Sequence, residues 1–125
     1  MHWEFRADQP IYTQLMRQMQ EAIVSGQLQA GERLPSVREL AMDAGVNPNT
    51  VQRALTDLEQ AGLVFSQRTL GRFVTEDCER IAQARRSLAQ ERSATFWADM
   101  KKLGCSAEEI FALLRQQKEE FPCLS

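Results

Sequence analysis

The chain is short of the side chains on which most enzyme chemistry depends. It has a single histidine, His2, so imidazole-based metal sites, general-base catalysis and a Ser-His-Asp set are all but excluded. His2 itself lies near a terminus, where incidental surface residues concentrate. The three cysteines, Cys78, Cys105 and Cys123, are odd in number, widely spaced and never in a Cys-x-x-Cys pair. That speaks against both a disulfide framework and a zinc site, and they read as reduced thiols. No apolar stretch approaches the roughly 18 residues of a membrane span, and Met1-His2-Trp3-Glu4-Phe5-Arg6 lacks the apolar core of a signal peptide. A cytoplasmic location without membrane contact is expected. There is no Gly-rich phosphate loop, no cluster of metal ligands, no internal repeat and no low-complexity tract. Neither an enzyme nor a bound cofactor or metal is expected.

What remains is 125 residues, 43% hydrophobic and 26% charged, enough for one ordinary domain or a small domain with an appendage. The net charge of -2 would discourage a nucleic-acid partner if only the sum mattered. Its distribution is more informative, because residues 32–74 carry five cations against five anions and all five cations are arginine. Arginine is the side chain suited to bidentate contact with phosphate and guanine.

Hydrophobic spacing predicts a first helix from Pro10, with Ile11, Leu15, Met19, Ala22 and Ile23 on one face and Gly26 just past its end. Gln27 to Leu34 reads as a connector. Ser36-Val37-Arg38-Glu39 has the reciprocal capping-box pattern and opens a short second helix that Gly45 ends. Asn47 can cap a third helix with Pro48 at its first position, and Val51, Ala54, Leu55, Leu58 and Ala61 form its apolar stripe up to Gly62. Leu63–Gln67 and Arg72–Thr75 then read as two short strands around Arg68-Thr69-Leu70-Gly71, with Gly71 free to adopt a positive φ. A hairpin after a helix-turn-helix is a wing. A long charged helix follows to about Leu103, then a last helix capped at Ser106 that Pro122 must stop.

The outward face of the third helix carries Asn49, Gln52, Arg53 and Thr56 at i, i+3, i+4 and i+7. Amides and guanidinium match the donor and acceptor pattern of base edges, whereas a merely solvated face usually has more Glu and Lys. A solvated face stays open on pattern alone. Ser36 and Asn47 are explicable as helix caps, which is compatible with a phosphate contact at a helix N-terminus. Arg33 could instead pair with Glu32 or Asp57. Trp3 and Trp97 read as packing anchors rather than base-stacking groups.

The runs Pro10-Ile11-Tyr12-x-Gln14-Leu15, Leu28-x-x-Gly31-x-x-Leu34-Pro35-Ser36-Val37-Arg38-Glu39-Leu40-Ala41 and Gly45-Val46-Asn47-Pro48-Asn49-Thr50-Val51, continued by Ala54-Leu55, Leu58-Glu59 and Gly62-Leu63, resemble the winged-helix domain of GntR-family bacterial transcription regulators. The resemblance covers residues 10 to 74. The short helical remainder is similar to the YtrA-like branch, in which a two-helix tail serves dimerisation. The resemblance implies DNA contacts at Ser36 and Arg38, at Asn47, Asn49, Thr50, Gln52 and Arg53, and at Arg68 in the wing. The family's usual Gly and Lys after that arginine are replaced here by Thr69 and Leu70, while Gly71 matches.

The expectation is therefore a mainly α fold with a small β-hairpin. A winged helix-turn-helix over residues 1–75 precedes a two-helix dimerisation tail over 76–125. The function expected is that of a homodimeric, sequence-specific regulator of transcription, most simply a repressor on an inverted-repeat operator of double-stranded DNA. Arg33, Ser36, Arg38, Asn47, Asn49, Thr50, Gln52, Arg53, Arg68 and Gly71 are the candidate DNA-contacting residues. Leu88, Phe96, Met100, Ile110, Leu113 and Leu114 are the candidate dimer contacts, because they offer more apolar surface than two helices cover alone. A winged helix used only for protein contacts is the alternative, and it would not need the Arg38, Asn49, Gln52 and Arg53 set. The operator, the regulated genes, the sign of regulation and any small-molecule effector stay open.

Overall fold

Local capping chemistry sets most of the helix ends in the computed structural model, which describes residues 1–121. The elements are α1 (Ile11–Val24), α2 (Val37–Ala44), α3 (Pro48–Gln60), β1 (Val64–Gln67), β2 (Gly71–Val74), α4 (Cys78–Lys102) and α5 (Ala107–Glu120). Ser36 closes a capping box on α2: its hydroxyl accepts from the Glu39 amide at 3.1 Å and Glu39 Oε1 accepts from the Ser36 amide at 3.3 Å. Ser106 and Glu109 repeat this at α5. Asn47 caps α3 by accepting from the Asn49 amide at 2.8 Å, with Pro48 in the first turn, where its missing N–H costs nothing. Gly45 ends α2 at φ +70°, a left-handed angle that a side chain would strain. Cys123 and Pro122 lie outside the described residues.

The chain forms two compact units, one of Met1–Arg86 and one beginning at Ser87. In the first, Leu15, Met19 and Ile23 of α1 share a core with Leu40 and Ala41 of α2, Val51, Leu55 and Leu58 of α3, and Val64 and Val74 of the hairpin. Each fully buried aliphatic side chain contributes about 1.5–3 kcal/mol relative to exposure. Ile81 and Ala84, from the start of α4, pack on the same core. Gln14 is the buried polar residue here. Its amide bridges the segment before α1, accepting from the Arg6 amide at 2.7 Å and donating to the Arg6 and Gln9 carbonyls at 2.8 and 3.0 Å.

β1 and β2 pair antiparallel, with Val64 opposite Val74 and Gln67 opposite Gly71. The connector expected between the first two helices does more than connect. Its end lies antiparallel along the other edge of β2, with an Arg33–Phe73 bridge, Leu34 N donating to Arg72 O and Val74 N donating to Glu32 O, both at 2.8 Å. The segment has no alternating pattern because this pairing is set by the edge that β2 leaves open, not by its own residues.

In the second unit Trp97 and Phe111 meet at 6.0 Å between ring centroids, and Ile110 is fully buried. No residue of α4 is fully buried, and Phe96, Trp97, Leu103, Phe111, Leu113 and Leu114 are all exposed. No helix among the described residues is long and apolar enough to cross a membrane.

Candidate nucleic-acid interface

The helix-turn-helix and wing bring most of the expected residues to the surface of the first unit. Arg38 lies on the exposed side of α2 and Asn49, Gln52 and Arg53 on the exposed side of α3, opposite the buried Val51, Ala54, Leu55 and Leu58. The side chains of Arg38, Asn49 and Gln52 make no hydrogen bond or ion pair among the described residues. Thr56 drops out of the face in chemical terms, because its hydroxyl donates to the Gln52 carbonyl at 2.9 Å. Thr50 is half-buried, and its amide is taken by the Asn47 carbonyl at 3.0 Å.

Arg33 pairs with neither Glu32 nor Asp57. Its guanidinium lies over Gly71, where a Cβ would stand 3.4 Å from Nε. Arg33 and Gly71 thus meet at the loop end of the hairpin, where Gly71 pairs with Gln67, and with Ser36 and Arg72 they line an open depression beside the amino end of α2. Gly71 has φ +109°. The tip, Arg68-Thr69-Leu70, is exposed. Thr69 holds φ +67°, a left-handed conformation costing a β-branched residue roughly 1–2 kcal/mol, and its hydroxyl donates to the Arg68 carbonyl at 2.5 Å.

Two features escaped the sequence pattern. Glu59, at the end of α3, ties the wing to this helix: Oε1 accepts from Ser66 Oγ at 2.5 Å and from Arg72 Nε at 2.7 Å. The Ser66 and Arg72 bonds hold the Glu59 carboxyl below the ordinary 4.5, outweighing partial burial. Arg53 lies with its guanidinium carbon 4.0 Å from the centre of the Tyr12 ring on α1. Neither pair is periodic in sequence, and only the fold brings residues 13 and 41 positions apart together.

Of the expected dimer contacts, Phe96, Leu113 and Leu114 are exposed and Leu88 and Met100 half-buried. Ile110 is different, since it is fully buried within the chain and has no surface to offer a partner. Its spacing puts it on the apolar side of α5, which the chain covers at Ile110 and leaves bare at Leu113 and Leu114. Trp97 has Phe111 against it, and Trp3 donates from Nε1 to Asp43 at 2.8 Å while stacking on Phe5, so both tryptophans serve packing.

Residues 11–74 match the family described as bacterial regulatory proteins, gntR family. The HTH-type transcriptional repressor YtrA of Bacillus subtilis (strain 168) is 30% identical over 112 residues, which span 89% of this chain and 86% of the relative. A GntR family transcriptional regulator from Listeria monocytogenes superposes with a TM-score of 0.84 at 38% identity, covering 90% of this chain and 98% of that one. AraR(DBD), solved in complex with operator ORX1, superposes with a TM-score of 0.54 at 28% identity over 60% of this chain and 99% of its own. Family and relatives are transcriptional regulators, not enzymes. The winged helix-turn-helix, the outward polar face of α3 and these matches lead to one conclusion: the chain belongs to the gntR family of DNA-binding bacterial transcription regulators.

Proposed function

We propose that the chain is a homodimeric repressor that occupies an inverted-repeat operator, with one α3 in the major groove of each half-site. DNA contacts come from residues 1–75, through Arg33, Ser36, Arg38, Asn47, Asn49, Thr50, Gln52, Arg53, Arg68 and Gly71, and self-association comes from residues 76–125. The observation that carries the proposal is the uncommitted outward set on α2 and α3. Arg38, Asn49 and Gln52 are exposed without a side-chain partner among the described residues, so their donors and acceptors are available to base edges and phosphates. The relative named as a repressor and the neighbour solved with an operator support the same reading.

Leu88, Phe96, Met100, Leu113 and Leu114 supply the dimer surface, with Ile110 beneath it. A two-fold dimer presents two copies of one recognition helix, hence the inverted repeat. A small-molecule effector, if one acts, would bind between subunits, because two helices are too few to enclose a cavity of roughly 300–1,000 Å³. The protein works in the bacterial cytoplasm, on the nucleoid when bound.

The test is DNase footprinting of the full-length protein upstream of its own gene and its neighbours, with Arg38→Ala alongside. Protection of a two-fold symmetric site that Arg38→Ala weakens by about 1–3 kcal/mol per half-site supports the proposal. No protected site, or one that the variant occupies as well, overturns it.

A further inference from the structure

Tyr12 and Arg53 belong to different helices, α1 and α3, and meet with the Arg53 guanidinium carbon over the Tyr12 ring, 4.0 Å from its centre. We propose that Tyr12 is a positioning residue for DNA binding: it holds Arg53 against α1 and makes it a phosphate contact at the edge of the groove, not a reader of bases. The inference rests on α3 being the recognition helix.

A cation over a ring is held by its charge and occupies no oxygen acceptor, so the five N–H donors of the guanidinium remain available in the fork that suits a phosphate. Arg53 spends none of them on a hydrogen bond or ion pair among the described residues, and it is exposed. The platform is fixed, since the Tyr12 ring is half-buried and packs on the core. A loose arginine would have to be ordered on binding, at a cost in affinity that a stacked one avoids. Direction comes from the same contact. Asn49 and Gln52 have no side-chain tether, whereas Arg53 is drawn sideways to α1, an element outside the helix-turn-helix, and so towards the strand backbone that flanks the groove.

The test measures affinity of the full chain, across a range of salt, for a duplex enriched by binding-site selection and for a scrambled duplex of equal length. Tyr12→Phe keeps the ring and should bind as wild type. Tyr12→Leu should weaken binding about two- to tenfold on both duplexes, and Arg53→Ala should reduce the log-log salt slope by about 0.9 per half-site, about 1.8 for the bound dimer. The double variant should bind no more weakly than Arg53→Ala alone, because Tyr12 acts only through Arg53. A Tyr12→Leu loss that adds in full to that of Arg53→Ala reflects damage to the fold and overturns the inference. A loss confined to the selected duplex makes Arg53 a base reader and overturns the phosphate assignment. If Arg53→Ala binds as wild type, the positioning role falls, and Asn49→Ala decides the rest. Weakened binding by that variant leaves α3 as the recognition helix, and unchanged binding removes that reading as well.

Discussion

Replacing Glu59 by Ala should loosen the wing from the recognition helix, and the loss should depend on pH in a way that identifies its cause. One carboxylate oxygen accepts from Ser66 Oγ at 2.5 Å and Arg72 Nε at 2.7 Å. A hydrogen bond to a charged group contributes about 1.5–3 kcal/mol when protected from water. The Glu59 and Arg72 side chains keep 31% and 24% of their exposure, so solvent replaces part of what is lost. About 2 kcal/mol for the two bonds together is the expectation. The Glu59 pKa is depressed below 4.5, first by Ser66 and then by Arg72. A depressed carboxylate stabilises the fold above its unfolded pKa, and that contribution fades as pH falls through the folded value. Urea denaturation of wild type and Glu59→Ala should therefore differ fully near pH 7, and the difference should shrink as the pH falls below the ordinary 4.5 and through the lowered value. Comparing the two proteins at each pH removes the titration common to both. A difference that stays constant from neutral to acid pH would show that Glu59 acts through packing rather than charge, and would refute the reasoning.

Thr69→Gly should stabilise the protein by roughly 0.5–1 kcal/mol in urea denaturation, since relief of the left-handed strain exceeds the added freedom of the unfolded chain. Arg68→Ala should lower the log-log salt slope of DNA binding by about 0.9 per half-site, about 1.8 for the dimer, and leave the preferred major-groove bases unchanged in binding-site selection. Phe96→Glu or Leu114→Glu should convert the full chain to a monomer in sedimentation at micromolar concentration and weaken operator binding steeply, because linking two half-site contacts raises effective concentration. A dimer that survives both changes would move the interface elsewhere.

Residues that act on their near neighbours in sequence were the legible ones. Ser36 with Glu39, Ser106 with Glu109, Asn47 before Pro48, and Gly45 each satisfy or end a helix within four positions, so spacing alone located the ends. The buried stripe of α3 followed from its period from Val51 to Leu58, though Ala61, expected to extend it, lies past the helix end and is exposed; the same period gave the outward Asn49, Gln52 and Arg53. What spacing could not carry was partner choice across elements. Arg33 finding Gly71, Arg53 finding Tyr12 and Glu59 finding Arg72 all depend on the register of the hairpin or the packing of α1 on α3. Periodicity likewise placed Ile110 with Leu113 and Leu114, but a helix's apolar side can be covered by its own chain at one turn and bare at the next. Thr69 gave no sign of its positive φ, which β-branched residues rarely adopt.

The central claim is that two copies of α3 read DNA together, and binding-site selection with the purified full-length protein on random duplexes tests it most directly. The account predicts an enriched inverted repeat whose half-sites are separated, centre to centre, by about 10–10.5 base pairs or a multiple of it. Enrichment of a single asymmetric site, or of no sequence at all, would contradict it.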